Sequence, residues 1–444
     1  MTEQPVPFIA SESLLVFLVL AGLLLGLALV LGALCRRIGL PALIGELTVG
    51  VVLGPSVLGS AAPGVFSWLR LRNADQLHLL DAVGQLGVLM LVGIIGIQLD
   101  LGALRTSGAT VARVSLGGLL VPLALGVAVG LAAPASLLAP HGHRGVFALF
   151  LGVAICVSAI PVIAKILLEL RLMHRDIGQL ILSAAAVTDC VGWLLLSVVA
   201  ALATAGVRAG QIGLSLGYLV GLLLVTWLVG RPTVHGVMRL AERGGNRSST
   251  ITATVVLLLL SAAATQAMGL EDIFGAFLCG ILIGRTPGFD RARLAPLNTF
   301  TMAVLAPIFF ATVGLRLDLN ALRSTPLLVT GLLILAVAVL GKFSGAYLGA
   351  RLSKLTHWEG LALGSGLNSR GVVEVVIAQA GLRLGILTTG TYTILVLTAV
   401  ATTMMAPPLL RRAAGRIAPN PGEFVRQERL RTLEDQPAST VTYG

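Results

Sequence analysis

Apolar runs, each about as long as a bilayer crossing, alternate with short polar connections along nearly the whole chain. A hydrocarbon core about 30 Å thick takes about 20 apolar helical residues to cross. The pattern therefore predicts thirteen spans, at roughly 12–35, 40–59, 80–98, 112–134, 145–168, 177–204, 211–230, 250–268, 271–287, 296–316, 326–350, 357–382 and 389–412. The ninth, 271–287, is short. The connections are marked by Pro, Gly and Arg, and none reads as a water-soluble domain. The expected organisation is an outer N-terminal segment (1–11), a transmembrane domain (12–412) and a disordered polar cytoplasmic tail (413–444). The opening residues MTEQPVPFIASES lack the basic start of a secretory signal, so no cleavage is expected.

Composition sharpens this to an all-α polytopic membrane protein. The chain is 56% hydrophobic and 11% charged, against about 25% charged in soluble domains. Its +11 net charge does not call for a nucleic-acid partner, because Lys and Arg collect in cytoplasmic loops. With the predicted spans, about 20 basic residues fall on one side and about 7 on the other. That places the N-terminus outside and the C-terminus in the cytoplasm, and it favours an odd number of crossings. Cys35, Cys156, Cys190 and Cys279 lie in or beside apolar runs without metal-ligand spacing, so no disulfide framework is expected. No nucleophile–base pair, metal motif or cofactor motif appears, so neither an enzyme nor a cofactor is expected.

The informative residues are the charges inside spans. Arg113 and Lys165 lie near span ends and can extend to the interface. Glu46, Asp189, Lys342, Arg370 and Glu374 remain within spans. A charge at the bilayer centre costs at least ~2.5 kcal/mol, so it needs a partner, a wet cavity or a task. Helix rise puts Asp189 ~18 Å, Arg370 ~20 Å and Lys342 ~12 Å from the inner ends of their helices. Ser158 and Pro161 fall at ~15 Å and ~10 Å on the same scale. One broad layer thus holds all of them, which suggests a single polar site.

Two spans carry helix-breaking sequences. CVSAIPVIAK places Ser158 and Pro161 inside the fifth, where proline removes a helical hydrogen bond. GSGLNSRG places Asn368, Ser369 and Arg370 among glycines in the twelfth. Seven crossings apart, these spans run in opposite directions. Paired interrupted helices in inverted halves point to a midplane ion site of a secondary transporter.

Seven segments, in order, closely resemble the monovalent cation:proton antiporter-2 family, and the likeness runs over about 12–412. They are PALIGELTVGVVLGPSVLG (41–59), LGVLMLVGIIGIQLDL (86–101), ICVSAIPVIAKILLEL (155–170), FGAFLCGILIGR (274–285), PIFFATVGLRLDL (307–319), GKFSGAYLGARL (341–352) and NSRGVVEVVIAQAGLRLGIL (368–387). The resemblance implies an NhaA-like fold with inverted repeats and crossed discontinuous helices. It also implies a homodimer in which a core domain carries the ion past a dimerisation domain. The family's transport aspartate maps onto Asp189 and its membrane lysine onto Lys342. Two departures matter: Thr188 stands where the family often has a second Asp or an Asn, and Gln98 stands where it often has Glu. A lone carboxylate points to electroneutral exchange.

The expected chemistry is competition. A carboxylate reached alternately from each side binds either a monovalent cation (Na⁺ or K⁺) or a proton, and that exclusivity couples the two fluxes. Asp189 is expected to hold the alkali cation, with Ser158 and Thr188 as oxygen ligands and Lys342 as its partner in one state. Arg370 and Glu374, four residues apart, are expected to pair along one helix face. The alternative is a potassium efflux transporter or channel gated by a separate subunit, since no Gly-rich nucleotide fingerprint follows residue 412.

Overall fold

A computed structural model describes residues 11–38, 40–69, 74–98, 108–134, 137–139, 143–205, 226–243, 246–268, 271–420 and 423. In chain order the helices are α1 (Ser11–Arg37), α2 (Ala42–Leu53), α3 (Leu58–Ala61), α4 (Pro63–Trp68), α5 (Ala74–Gln98) and α6 (Gly108–Ala132). Then come α7 (Arg144–Cys156), α8 (Ile160–Glu169), α9 (Asp176–Ala205), α10 (Arg231–Arg243), α11 (Arg247–Ala267) and α12 (Asp272–Gly284). The last six are α13 (Ala295–Phe300), α14 (Ala306–Leu315), α15 (Thr325–Leu352), α16 (His357–Leu367), α17 (Val372–Arg383) and α18 (Thr389–Ala414). A π-helical turn, Thr301–Leu305, joins α13 to α14.

Among the described residues, nine helical stretches are long and apolar enough to cross a bilayer, and the α16–α17 pair makes up to ten. The thirteen expected crossings are therefore not reached by this measure. The fifth is split into α7 and α8, and α7 and α12 are apolar but short. The expected span 211–230 lies mostly outside the described residues, which resume at Thr226. The segment Arg231–Arg243, expected as a loop, is helix α10. It buries Val234 and Met238, one turn apart, and leaves its Arg residues outward.

The helices pack as two sets. One comprises α1, α2, α5, α11, α12 and α14; the other comprises α6, α7, α9 and α15–α18. Without a hydrophobic drive between helices in lipid, small residues set the close contacts. In the second set α6 and α15 meet along Gly117, Gly345 and Gly349; a Cβ on Gly345 would lie 2.2 Å from the Gly117 carbonyl oxygen. The stretch 415–420 and Glu423, expected to be disordered, instead lies against the start of α9. Glu423 pairs with Arg175 at 2.5 Å, and Arg175 also donates to the Ile417 carbonyl at 2.8 Å. Residues 424–444 are outside the described part.

Both sequence breaks exist, and they touch. Backbone 157–159 separates α7 from α8, and 368–371 separates α16 from α17 with a 47° bend. The Ala159 N–H donates to the Ser369 carbonyl at 3.3 Å, and Ser158 Oγ donates to the Leu367 carbonyl at 3.0 Å. Pro161 is the second residue of α8. A helix's first turn has no intrahelical acceptor for its N–H groups, so the proline marks where the helix restarts and costs no bond there. Gly371 closes the second break at φ 156° and ψ −119°, a conformation open to glycine. A Cβ there would also lie 2.7 Å from Val162 Cγ2. Gly371→Ala is expected to cost about 1–3 kcal/mol, read as a fall in the thermal unfolding midpoint of the purified protein. Adding Val162→Ala should recover the contact part alone; an unchanged midpoint would mean the break tolerates a side chain.

Candidate functional site

Breaking a helix inside a membrane leaves carbonyls at one end and N–H groups at the other without partners. At the C-terminal end of α7 every one of the last four carbonyls has a donor. Cys156 Sγ reaches the Val153 carbonyl at 3.3 Å. Arg370 reaches those of Ala154 at 3.4 Å and Ile155 at 2.5 Å. Lys342 Nζ reaches that of Cys156 at 2.5 Å. Two cations thus sit at the negative end of a helix dipole. At the positive end of α8 the reverse holds: the Ile160 N–H donates to Asp189 Oδ2 at 3.2 Å. Glu374 lies in the first turn of α17, again at a positive end.

Asp189, Lys342, Arg370 and Glu374 are all at most 1% exposed. Arg370 Nη1 bonds Glu374 Oε1 at 2.9 Å; the two pair, but from the break into the first turn of α17 and not along one helix face. Arg370 is anchored further from α18, where Thr403 Oγ1 donates to its carbonyl at 2.5 Å. Thr188 is buried beside Asp189; its hydroxyl donates to the Ala185 carbonyl at 3.0 Å and reaches Ser158 Oγ at 3.5 Å. Asp189 Oδ1, both amide atoms of Asn368 and Ser369 Oγ are buried with no hydrogen-bond partner among the described residues. A buried polar atom left unpaired costs about 1–3 kcal/mol, so such a cluster is a place for a polar guest.

The structure brings the predicted residues into one connected layer, with one difference. Lys342 was expected to pair with Asp189 in one state of the cycle, and this structure is not that state. Among the described ion pairs that one does not occur, and the ammonium is held by the Cys156 carbonyl. Spacing gives the height of a residue in the membrane but not its direction around the helix, so the capping role was not readable. Missed altogether was a polar cluster in which Glu271 and Asp272 at the start of α12 and Arg383 at the end of α17 meet Gln85 from the middle of α5. Glu271, Asp272 and Arg383 stand at span edges and look like ordinary loop charges, and Gln85 carries no charge to mark it.

A family model described as sodium/hydrogen exchanger, transmembrane, matches residues 15–413. The Na⁺/H⁺ antiporter NhaS4 of Synechocystis is 30% identical, with 90% of this chain and 97% of that protein covered. The Na⁺/H⁺-K⁺ antiporter GerN of Bacillus cereus is 27% identical over 86% of this chain and 92% of its own. Cation/H⁺ antiporter 20 of Arabidopsis thaliana is 30% identical over 88% of this chain and 47% of its own. The chain thus spans about half the length of the Arabidopsis relatives it matches. The solved sodium proton antiporter MjNhaP1 of Methanocaldococcus jannaschii superposes with a TM-score of 0.67 at 16% identity. That match covers 91% of this chain and 99% of the other, and at this identity it speaks for the fold. The match begins in the first span and ends in the last, so the chain belongs to the sodium/hydrogen exchanger family of transmembrane proteins.

Proposed function

We propose that this protein is a secondary antiporter that exchanges a monovalent cation, Na⁺ or K⁺, for H⁺ by alternating access. Asp189 is the shared site. The observation that carries this is the placement of one buried carboxylate at a crossing of two broken helices, one oxygen bonded to Ile160 N–H and the other unpartnered. Similarity to proteins named as Na⁺/H⁺ and cation/H⁺ antiporters supports the same reading. Ser158 and Thr188 hydroxyls lie beside the carboxylate's anchor and supply hard oxygens, the kind alkali cations take. The set holding α6, α7, α9 and α15–α18 is the moving part and the other is the scaffold. A homodimer, inverted halves, an outer N-terminus and a cytoplasmic C-terminus complete the proposal.

Charge counting makes the exchange electroneutral. Asp189 travels one way neutralised by a proton and the other way neutralised by a cation. With Thr188 as its neighbour, no second carboxylate joins it. The test is proton movement in proteoliposomes on adding Na⁺, K⁺ or Li⁺, with the membrane voltage clamped at several values. Cation-dependent proton efflux that ignores voltage is the expected result, and it names the ion. Voltage-driven exchange would show a second moving charge, with Lys342 the first suspect. Cation flux with no proton movement would replace antiport by a channel.

A further inference from the structure

Away from the crossing, the two helix sets are joined by charge at one end of the interface. Arg383 ends α17, in the moving set, and reaches across to the start of α12 and to α5, both in the scaffold. Its guanidinium bonds Glu271 and lies 3.5 Å from Asp272 Oδ1. Its other amino group donates to Gln85 Oε1 at 3.0 Å. The Gln85 amide in turn donates to Asp272 Oδ2. Arg383, Gln85 and Asp272 therefore close a ring with Glu271 held on the arginine, so that each acid has a donor and the arginine has three acceptors. Glu271 is 7% exposed on its side chain and Asp272 11%, so the acids are largely shielded from water, while Arg383 keeps 35% of its side chain exposed. A second polar link lies at the same end: Tyr392 of α18, fully buried, donates to the Val313 carbonyl of α14 at 3.0 Å.

None of these groups touches the proposed ion site, and loop charges need no such ring to stay soluble. Its geometry does have a mechanical meaning. Arg383 is the last residue of α17, whose other end carries Glu374 and the second break. A slide of α17 along the scaffold longer than the arginine side chain can follow pulls the guanidinium from its acceptors. Removing one partner of a shielded pair leaves the other uncompensated, so the ring favours the arrangement in which it is closed.

We infer that the Arg383–Glu271–Asp272–Gln85 ring is a latch between the moving set and the scaffold, closed in this state and opened in each transport cycle. It acts as a weight on the equilibrium between inward-open and outward-open forms. The inference rests on the proposed alternating-access exchange. A contact present in one form and absent in the other shifts apparent affinity in opposite directions on the two membrane faces.

The test compares Arg383→Gln, Glu271→Gln/Asp272→Asn and the triple variant in proteoliposomes, with half-saturating cation measured separately from each face. Arg383→Gln is expected to raise this value at one face and lower it at the other, at least about fivefold in total, as a typical coupling requires. The triple variant should match the worst single defect, because one contact cannot be lost twice. Arg383→Lys should recover part of the shift. Hydrogen–deuterium exchange at 271–273 and 383–388 gives a readout independent of transport, and it should quicken in Arg383→Gln. Wild-type values on both faces, or defects that simply multiply in the triple variant, would overturn the latch. If Arg383→Gln does not yield folded protein, the acid-side double variant carries the same comparison. An unmodified chain that moves no protons with any cation would remove the exchange reading itself. Normal exchange with unaltered variants removes this inference alone.

Discussion

Asp189→Asn is expected to reduce cation-dependent proton movement to the level of empty vesicles while leaving the protein folded. Asparagine has nearly the shape of aspartate and keeps an oxygen for the Ile160 N–H, which now donates to Asp189 at 3.2 Å. What it loses is the charge and the titration. A unit charge at contact with a monovalent cation is worth about 4 kcal/mol at 4 Å with an effective dielectric near 20, or about three orders of magnitude in affinity. The proton has nowhere to bind at all. Thermal stability should stay level or rise, since a buried charge is costly and its neutral analogue is not. The pairing of outcomes is what makes this informative. Lost exchange with a retained unfolding midpoint assigns the role to the carboxylate. Retained coupled exchange would remove Asp189 from the mechanism, and lost exchange with lost folding is separated by Asp189→Glu, which restores the charge.

On the proposed mechanism, the surroundings of Asp189 are consistent with a single acid at the site. Its environment is positive on two counts: the start of α8 points an N–H at it, and two cations lie across the break at the end of α7. Those cations are engaged with carbonyls, so the carboxylate is anchored by a helix dipole more than by a fixed counter-ion. A mobile cation can then compete for it without first breaking a direct salt bridge. Should Lys342 release a proton during the cycle, one additional charge would move per turnover, which is the distinction the voltage-clamped assay makes.

How much of this was legible depends on the residue. Asp189, Lys342 and Arg370 declared themselves because a charge in an apolar run is expensive whatever the fold. The breaks showed in Ser158–Pro161 and in the glycines around Asn368, since backbone chemistry is local. Their contact through Ala159 and Ser369 followed from no local rule. Depth along a helix is one coordinate, and Lys342 shows the limit: its layer was readable, its bond to the Cys156 carbonyl in this state was not. Helix α10 was missed because RPTVHGVMRLAER is too polar to span, although Val234 and Met238 stand four residues apart on one face. The docking of Glu423 was missed for a related reason. A polar segment reads as unstructured when burial is the criterion, and Arg175 holds this one by charge. Arg383 and its acids looked like span-edge charges because the sequence does not say which loop ends meet.

Arg370→Leu is expected to be the most destabilising single change at the crossing, by about 3–5 kcal/mol, the range for breaking a buried pair from one side. Two consequences add. Glu374, 1% exposed, loses its bond at 2.9 Å and is left as a buried charge. The Ala154 and Ile155 carbonyls, on fully buried residues at the end of α7, lose their donor. Glu374→Leu removes an acid but leaves those carbonyls capped, so it should cost less. The double variant Arg370→Leu/Glu374→Leu separates the two parts, because it removes the stranded charge and keeps the bare carbonyls. It should recover part of the loss. Unfolding midpoints in one detergent and lipid mixture, compared across the four proteins, give the coupling directly. Full recovery in the double variant would mean that the carbonyls find other donors and that Arg370 serves Glu374 alone. No recovery would place the whole cost in the helix end, making the arginine a backbone cap that happens to lie beside an acid. An Arg370→Leu protein within about 1 kcal/mol of the unmodified one would show that the broken helix needs neither, contrary to the cost of an unpaired group in the membrane.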